Sequence, residues 1–267
     1  MKRLVPAILL VMTSVVVAAQ LPAPNAAGAS AGHHILRTTN VEASNKFWEA
    51  IGAEPTALAN IQLKKIPGVL LIVGGPRGNA PPMPIPGNHG TTVEFLTFKV
   101  KDLKASLAKW KEAGIEPMKE YKETTLLGPD DIQVRVTEDK NLATAIASDG
   151  LIMNVANAAE VSAWYAKWFG AKLSKNGQDT IGDIPGARMV FHETKEMIAP
   201  TRGHALGLLG FEVTNIEDFV KRYQEAGGKF DGAGTIARAQ AANLAVIQLT
   251  DPWGTSIEVS QGLVAAK

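Results

Sequence analysis

Few side chains in this 267-residue chain are of the types that bind metals, move protons or fix anions, and they are scattered. His33 and His34 are adjacent, at the head of His33-His34-Ile35-Leu36-Arg37-Thr38-Thr39, whose composition predicts a short β-strand. Neighbours on a strand point to opposite faces, so at most one of the two imidazoles faces an interior. Glu258 stands between Ile257 and Val259 and faces opposite to them by the same alternation. In a cavity its carboxylate is a general base suited to a proton next to a carbonyl; on the outer face it is a solvated charge. Arg37 and Arg135 offer planar cations to an anionic substrate, or lie at the surface.

Other chemistries find no support. The chain has no cysteine, which removes thiolate nucleophiles, iron–sulfur clusters, Cys-type zinc sites and disulfides. His192-Glu193-Thr194-Lys195-Glu196 lacks the second histidine of a zinc-protease helix. The glycines at 74, 75 and 78 are followed by no Gly-Lys-Ser/Thr, so they form no phosphate loop, and no Gly-x-Ser-x-Gly elbow occurs. A net charge of +1 gives no electrostatic case for nucleic acid or an anionic membrane.

The elements that must position these residues repeat. Asn45-Lys46-Phe47-Trp48-Glu49-Ala50-Ile51-Gly52-Ala53 returns as Ala163-Trp164-Tyr165-Ala166-Lys167-Trp168-Phe169-Gly170-Ala171. Ile66-Pro67-Gly68 returns as Ile184-Pro185-Gly186, and Lys111-Glu112-Ala113-Gly114 as Gln224-Glu225-Ala226-Gly227. Three landmarks in the same order indicate a duplicated domain. Each copy divides again into a strand, a capped helix and further short strands. Asn40, Asp102, Asn157 and Asn215 are the expected helix caps. The helices carry apolar stripes of Ser44, Phe47, Trp48 and Ile51; Leu103, Leu107 and Trp110; Val161, Trp164, Tyr165 and Trp168; Ile216, Phe219, Val220 and Tyr223. Helical spacing makes these aromatics core residues. Asp251-Pro252-Trp253-Gly254 has the composition of a tight turn between antiparallel strands, and Gly74 to Gly90, rich in proline, reads as a rigid loop.

The start of the chain reads as a targeting signal. Lys2-Arg3 precedes an apolar run from Leu4 to Val17, and Val17-Ala18-Ala19 offers small residues for cleavage. Residues 1–19 are therefore expected to be a signal peptide and 20–32 a linker. The mature protein is expected to be secreted or periplasmic, with no membrane association after cleavage.

Two stretches resemble the vicinal oxygen chelate superfamily of glyoxalase I, bleomycin-resistance proteins and extradiol dioxygenases. One is His33 to Asn40 followed by Phe47-Trp48 and Gly52-Ala53-Glu54-Pro55; the other is Leu249-Thr250-Asp251-Pro252-Trp253-Gly254-Thr255-Ser256-Ile257-Glu258. The resemblance implies an α+β fold of four βαβββ modules forming two domains, 33–146 and 147–263. It also implies a cavity in which His and Glu from first and last strands hold a divalent metal, a pairing that suits hard or borderline ions. On that basis His33 and Glu258 are the candidate metal ligands, and Glu258 is the candidate catalytic group. Counting back from the caps places Phe95, Gly150 and Leu208 where His33 stands in the first module. Pairing of neighbouring modules separates His33 from Glu258; pairing of the first with the fourth unites them, still short of a third ligand. The implied activity is a metal-assisted lyase, isomerase or dioxygenase reaction on an oxygenated organic substrate. The alternative is non-catalytic sequestration of a small molecule.

Overall fold

The computed structural model describes residues 21–75 and 84–263. The expected signal peptide lies outside the described residues, as does part of the proline-rich loop. Unit 1 comprises β1 (Ala29–Arg37), α1 (Val41–Ile51), β2 (Glu54–Leu58), β3 (Ile61–Ile66) and β4 (Val69–Gly74). Unit 2 comprises β5 (Phe95–Val100), α2 (Leu103–Glu112), β6 (Thr125–Leu127) and β7 (Gln133–Glu138). In unit 2 a single bridge, Pro117 to Leu126, stands where the others have a further strand. Unit 3 runs through β8 (Ile146–Val155), α3 (Ala158–Phe169), β9 (Lys172–Asn176), β10 (Asp179–Ile184) and β11 (Ala187–Glu193). Unit 4 runs through β12 (Leu206–Val213), α4 (Ile216–Glu225), β13 (Ala237–Ala239), β14 (Leu244–Thr250) and β15 (Ser256–Gln261).

The helices start where short polar side chains satisfy their free N–H groups. The side chains of Asn40, Asp102, Asn157 and Asn215 accept from the backbone N–H of Ala43, Ala105, Glu160 and Asp218. Helix α1 buries Ser44, Phe47, Trp48 and Ile51, and α4 buries Ile216, Phe219 and Tyr223. Fully burying one such large side chain contributes roughly 2–3 kcal/mol. In α3 Trp164 is only half-buried, packed against the core's edge.

The sheets cut across the sequence halves. One sheet has the order β13-β14-β15-β12-β1-β4-β3-β2, the other β6-β7-β5-β8-β11-β10-β9. Units 1 and 4 join through antiparallel β1 and β12, and units 2 and 3 through antiparallel β5 and β8. Each sheet therefore combines one unit from each half of the sequence. The repeated Ile-Pro-Gly turns lock the two sheets together: Pro67 O accepts from Ser148 N at 2.8 Å, and Pro185 O from Ala31 N at 2.8 Å. A second pair of equivalent contacts fixes the helices. Asp130 accepts from Thr39 N at 3.0 Å and from the Thr38 and Thr39 hydroxyls, and Asp251 accepts from Tyr165 Oη at 2.8 Å.

Strand β1 begins at Ala29 rather than His33, so residues 29–32, expected as linker, are part of the first sheet. Their Ala/Gly/Ser composition serves close strand approach instead of flexibility. Ala29 and Ala31 are buried, and a Cβ at Gly32 would lie 2.9 Å from Glu212 N.

Candidate functional site

A bulge in β1 sets the site. Ala31 pairs with Phe211 and His34 with Leu209, so Gly32 and His33 together oppose Gly210. His33 and His34 point to opposite faces, as strand alternation requires. His34 is buried, and desolvation, aided by the nearby charge of His33, pushes its pKa down to about 3. His33, also fully buried, lies over Gly210, where a Cβ would stand 2.3 Å from the His33 Nδ1. Only glycine leaves room for the ring.

Glu258 reaches His33 from β15. The parallel register of β12 and β15 sets Gly210 beside Glu258, and the antiparallel register of β14 and β15 sets Gln248 beside it. His33 Nε2 lies 2.9 Å from Glu258 Oε1, and Gln248 Nε2 donates to Glu258 Oε2 at 2.8 Å. Desolvation pushes the Glu258 carboxyl upward, but the hydrogen bond and charge of His33, with help from Gln248, hold it below the ordinary carboxylate range.

Next to this network is a cavity of about 460 Å³. Ile35 and Arg37, which follow His33 by strand alternation, form one wall; Leu208, Gln248, Ser256 and Arg202 complete most of the rest. The Arg37 stem packs on Gly207, where a Cβ would come 2.9 Å from Arg37 Cγ. Arg202 is paired with Asp231 and donates to Thr250 Oγ1. Arg37 forms no ion pair among the described residues. Past His33, its strand neighbour Leu70 leads into a packed apolar cluster with Leu21, Leu58, Leu63, Ala242 and Leu263.

The implied metal was tested against these donors. Two ligands of one ion can stand about 3 Å apart, so the His33–Glu258 spacing is compatible with shared coordination. The rest of the set is not. Three protein ligands are the usual minimum for a catalytic zinc-type site, and no group of three His, Cys, Asp or Glu residues arranged for metal binding occurs among the described residues. Leu208 occupies the fourth module's equivalent of His33, His34 faces away, and Gln248 occupies the second Glu258 oxygen. The residues present do not fit a resident divalent ion.

Arg135 is not brought to this site. It belongs to β7 in the other sheet, with its guanidinium 3.8 Å from the Phe95 ring centroid. Glu193 caps α3 by accepting from Ala158 N at 2.8 Å, His192 pairs with Asp179, and exposed His89 pairs with Glu94. Sequence reasoning passed over Gln248 and Arg202. Gln248 carried a usable signal: counting outward along both strands from the Asp251–Gly254 turn sets it opposite Glu258.

Residues 147–259 match the family model described as Glyoxalase/Bleomycin resistance protein/Dioxygenase superfamily. No curated protein matches the chain. Among solved structures, glyoxalase I from Zea mays superposes with a TM-score of 0.66 at 12% identity, covering 88% of this chain and 93% of that one. A putative dioxygenase from Bacillus subtilis superposes with a TM-score of 0.58 at 10% identity, covering 91% and 86%. At these identities the likeness concerns the fold. The chain therefore has the vicinal-oxygen-chelate fold across both sheets, and residues 147–259 match the superfamily by sequence as well.

Proposed function

We propose that this protein binds a small oxygenated organic molecule in the cavity of the sheet built by units 1 and 4, without a resident metal. The observation that carries this reading is the cavity of about 460 Å³ bordered by Arg37, Gln248 and Ser256, with the His33–Glu258 pair fixing Gln248 from behind. Its size is within the range of small-molecule sites, and a lining of Ile35, Leu208 and glycines beside Arg37, Arg202, Gln248 and Ser256 suits a compact organic ligand with polar groups. The incomplete donor set favours holding the molecule over metal-assisted lyase, isomerase or dioxygenase chemistry. The signal-like residues 1–19 add export to the proposal, with binding taking place in a periplasmic or extracellular setting.

The test is a thermal-shift screen of the chain after chelator treatment, using small carboxylic acids, diols, phenols and carbonyl compounds. At least one class is expected to raise Tm without added metal. The shift should vanish in Leu208→Trp or Ile35→Trp, whichever keeps wild-type circular dichroism, because each fills the cavity. Binding that appears only after zinc, manganese or iron is added would overturn the metal-free reading. Absence of any shift across the panel would overturn the binding role.

A further inference from the structure

Resting on that cavity reading, we infer that the ligand is a small hydroxycarboxylate with an apolar body, its carboxylate on Arg37 and its hydroxyl on Gln248. Charge accounting identifies the anion. Arg202 is matched by Asp231, and Glu258 by His33 and the Gln248 amide. Arg37 is the cavity cation that no described carboxylate neutralises; its stem packs on Gly207 and the residue is otherwise exposed. An unmatched guanidinium at the cavity favours a carboxylate, which it engages through two parallel N–H donors.

The hydroxyl follows from the fixed direction of Gln248. A carboxylate accepts and an amide nitrogen donates, so Nε2 must be the end facing Glu258 Oε2. The carbonyl Oε1 is thereby the free end of the amide of this exposed, cavity-lining residue, an acceptor available to a donor on the ligand. A carboxylate cannot supply that donor, whereas a hydroxyl can. Ser256 also borders the cavity, and its Oγ is buried without a protein partner. Ile35 and Leu208 furnish the apolar surface for the body of the ligand. On this reading His33 and Glu258 are positioning residues, which hold the Gln248 amide in one orientation.

Three matched probes test the inference by calorimetric titration of the chelator-treated full chain: mandelate, phenylacetate without the hydroxyl, and mandelamide without the charge. Mandelate should bind most tightly. Losing a hydrogen bond to a charged group weakens binding by roughly tenfold to a hundredfold, so Arg37→Gln should bring mandelate close to mandelamide, and Arg37→Lys should recover part of the loss. Gln248→Ala should erase the preference for mandelate over phenylacetate while leaving the preference for charge. Equal binding of mandelate and mandelamide, or an unchanged mandelate affinity in Arg37→Gln, overturns the carboxylate assignment. Equal binding of mandelate and phenylacetate by the wild type overturns the hydroxyl assignment. If the three probes fail while another class from the screen binds in a Leu208-dependent manner, this inference falls and the cavity reading stands. If no class binds, both fall.

Discussion

His33 Nε2 lies 2.9 Å from Glu258 Oε1 although 225 positions separate them in sequence. The contact exists because β1 and β15 flank the same strand, β12, in a sheet shared by the first and last units. Both side chains are buried, and the partners of Glu258 are complete with Gln248. Removing one member therefore strands the other. Glu258→Ala is expected to destabilise the fold by about 3 kcal/mol, the lower part of the range for breaking a buried pair. Urea unfolding measures it, and a loss below about 1 kcal/mol, the scale of an exposed pair, would contradict a desolvated contact.

Gly210 should be intolerant of even a methyl group. A Cβ there would stand 2.3 Å from His33 Nδ1 and 2.5 Å from His33 O, so both ring and backbone would have to move. Gly210→Ala is expected to cost about 2 kcal/mol, as overpacking typically does. Compared with His33→Ala alone, where the ring is already absent, Gly210→Ala should still cost stability, though less than in the wild type, because the backbone clash remains. No cost in that background would show that the ring alone sets the constraint.

Stability should fall in mild acid because of His34. Burial holds its pKa at about 3 in the fold against 6.5 for an unperturbed histidine. Between those values the unfolded chain binds the proton and the folded chain does not, so stability falls as pH drops below 6.5, by roughly 1.4 kcal/mol per unit at full effect. Glu258 acts in the same direction at lower pH. Its lowered pKa contributes stability above the ordinary carboxylate value of 4.5, and this is lost as pH falls through its folded value. His34→Leu should flatten the urea-midpoint profile above pH 4.5 and reduce, without removing, the fall below it, where Glu258 acts as well. An unchanged slope between pH 6 and pH 5 in that variant, at roughly the value expected for one proton, would assign the effect elsewhere.

Asp130 should act as a clamp on the junction between β1 and α1. Its carboxylate collects Thr39 N at 3.0 Å and two threonine hydroxyls from a residue held at φ 55°. Asp130→Ala is expected to cost about 2 kcal/mol and to speed amide exchange at Thr39 well beyond that at Asp251. Uniform acceleration at both sites would mean that Asp130 supports the whole fold and not this junction.

Local parts of the fold were readable from the residues. Helix caps at Asn40, Asp102, Asn157 and Asn215 depend on one side chain and the N–H three residues on, so sequence carries them directly. The buried faces of α1 and α4 follow from spacing alone. The twice-used Ile-Pro-Gly was readable as a repeat but not as an interlock, because its partners, Ser148 and Ala31, lie in other units. Residues 29–32 misled through composition: Ala, Gly and Ser suit both a linker and a tightly approached strand. The candidate site depended on which units share a sheet. That choice is made by packing between distant strands, so His33 and Glu258 were recognisable as candidates while their contact was not. Arg202, in a loop before β12, had no periodicity to mark it.

Native mass spectrometry of the full chain, purified without chelator and then mixed with mandelate, asks most directly whether this interior holds an organic molecule in place of a metal. The expected spectrum contains the bare polypeptide and a single mandelate adduct, with no metal mass, and the adduct disappears in Arg37→Gln. A stoichiometric divalent-metal adduct that is retained by the wild type and lost in both His33→Ala and Glu258→Ala would contradict it.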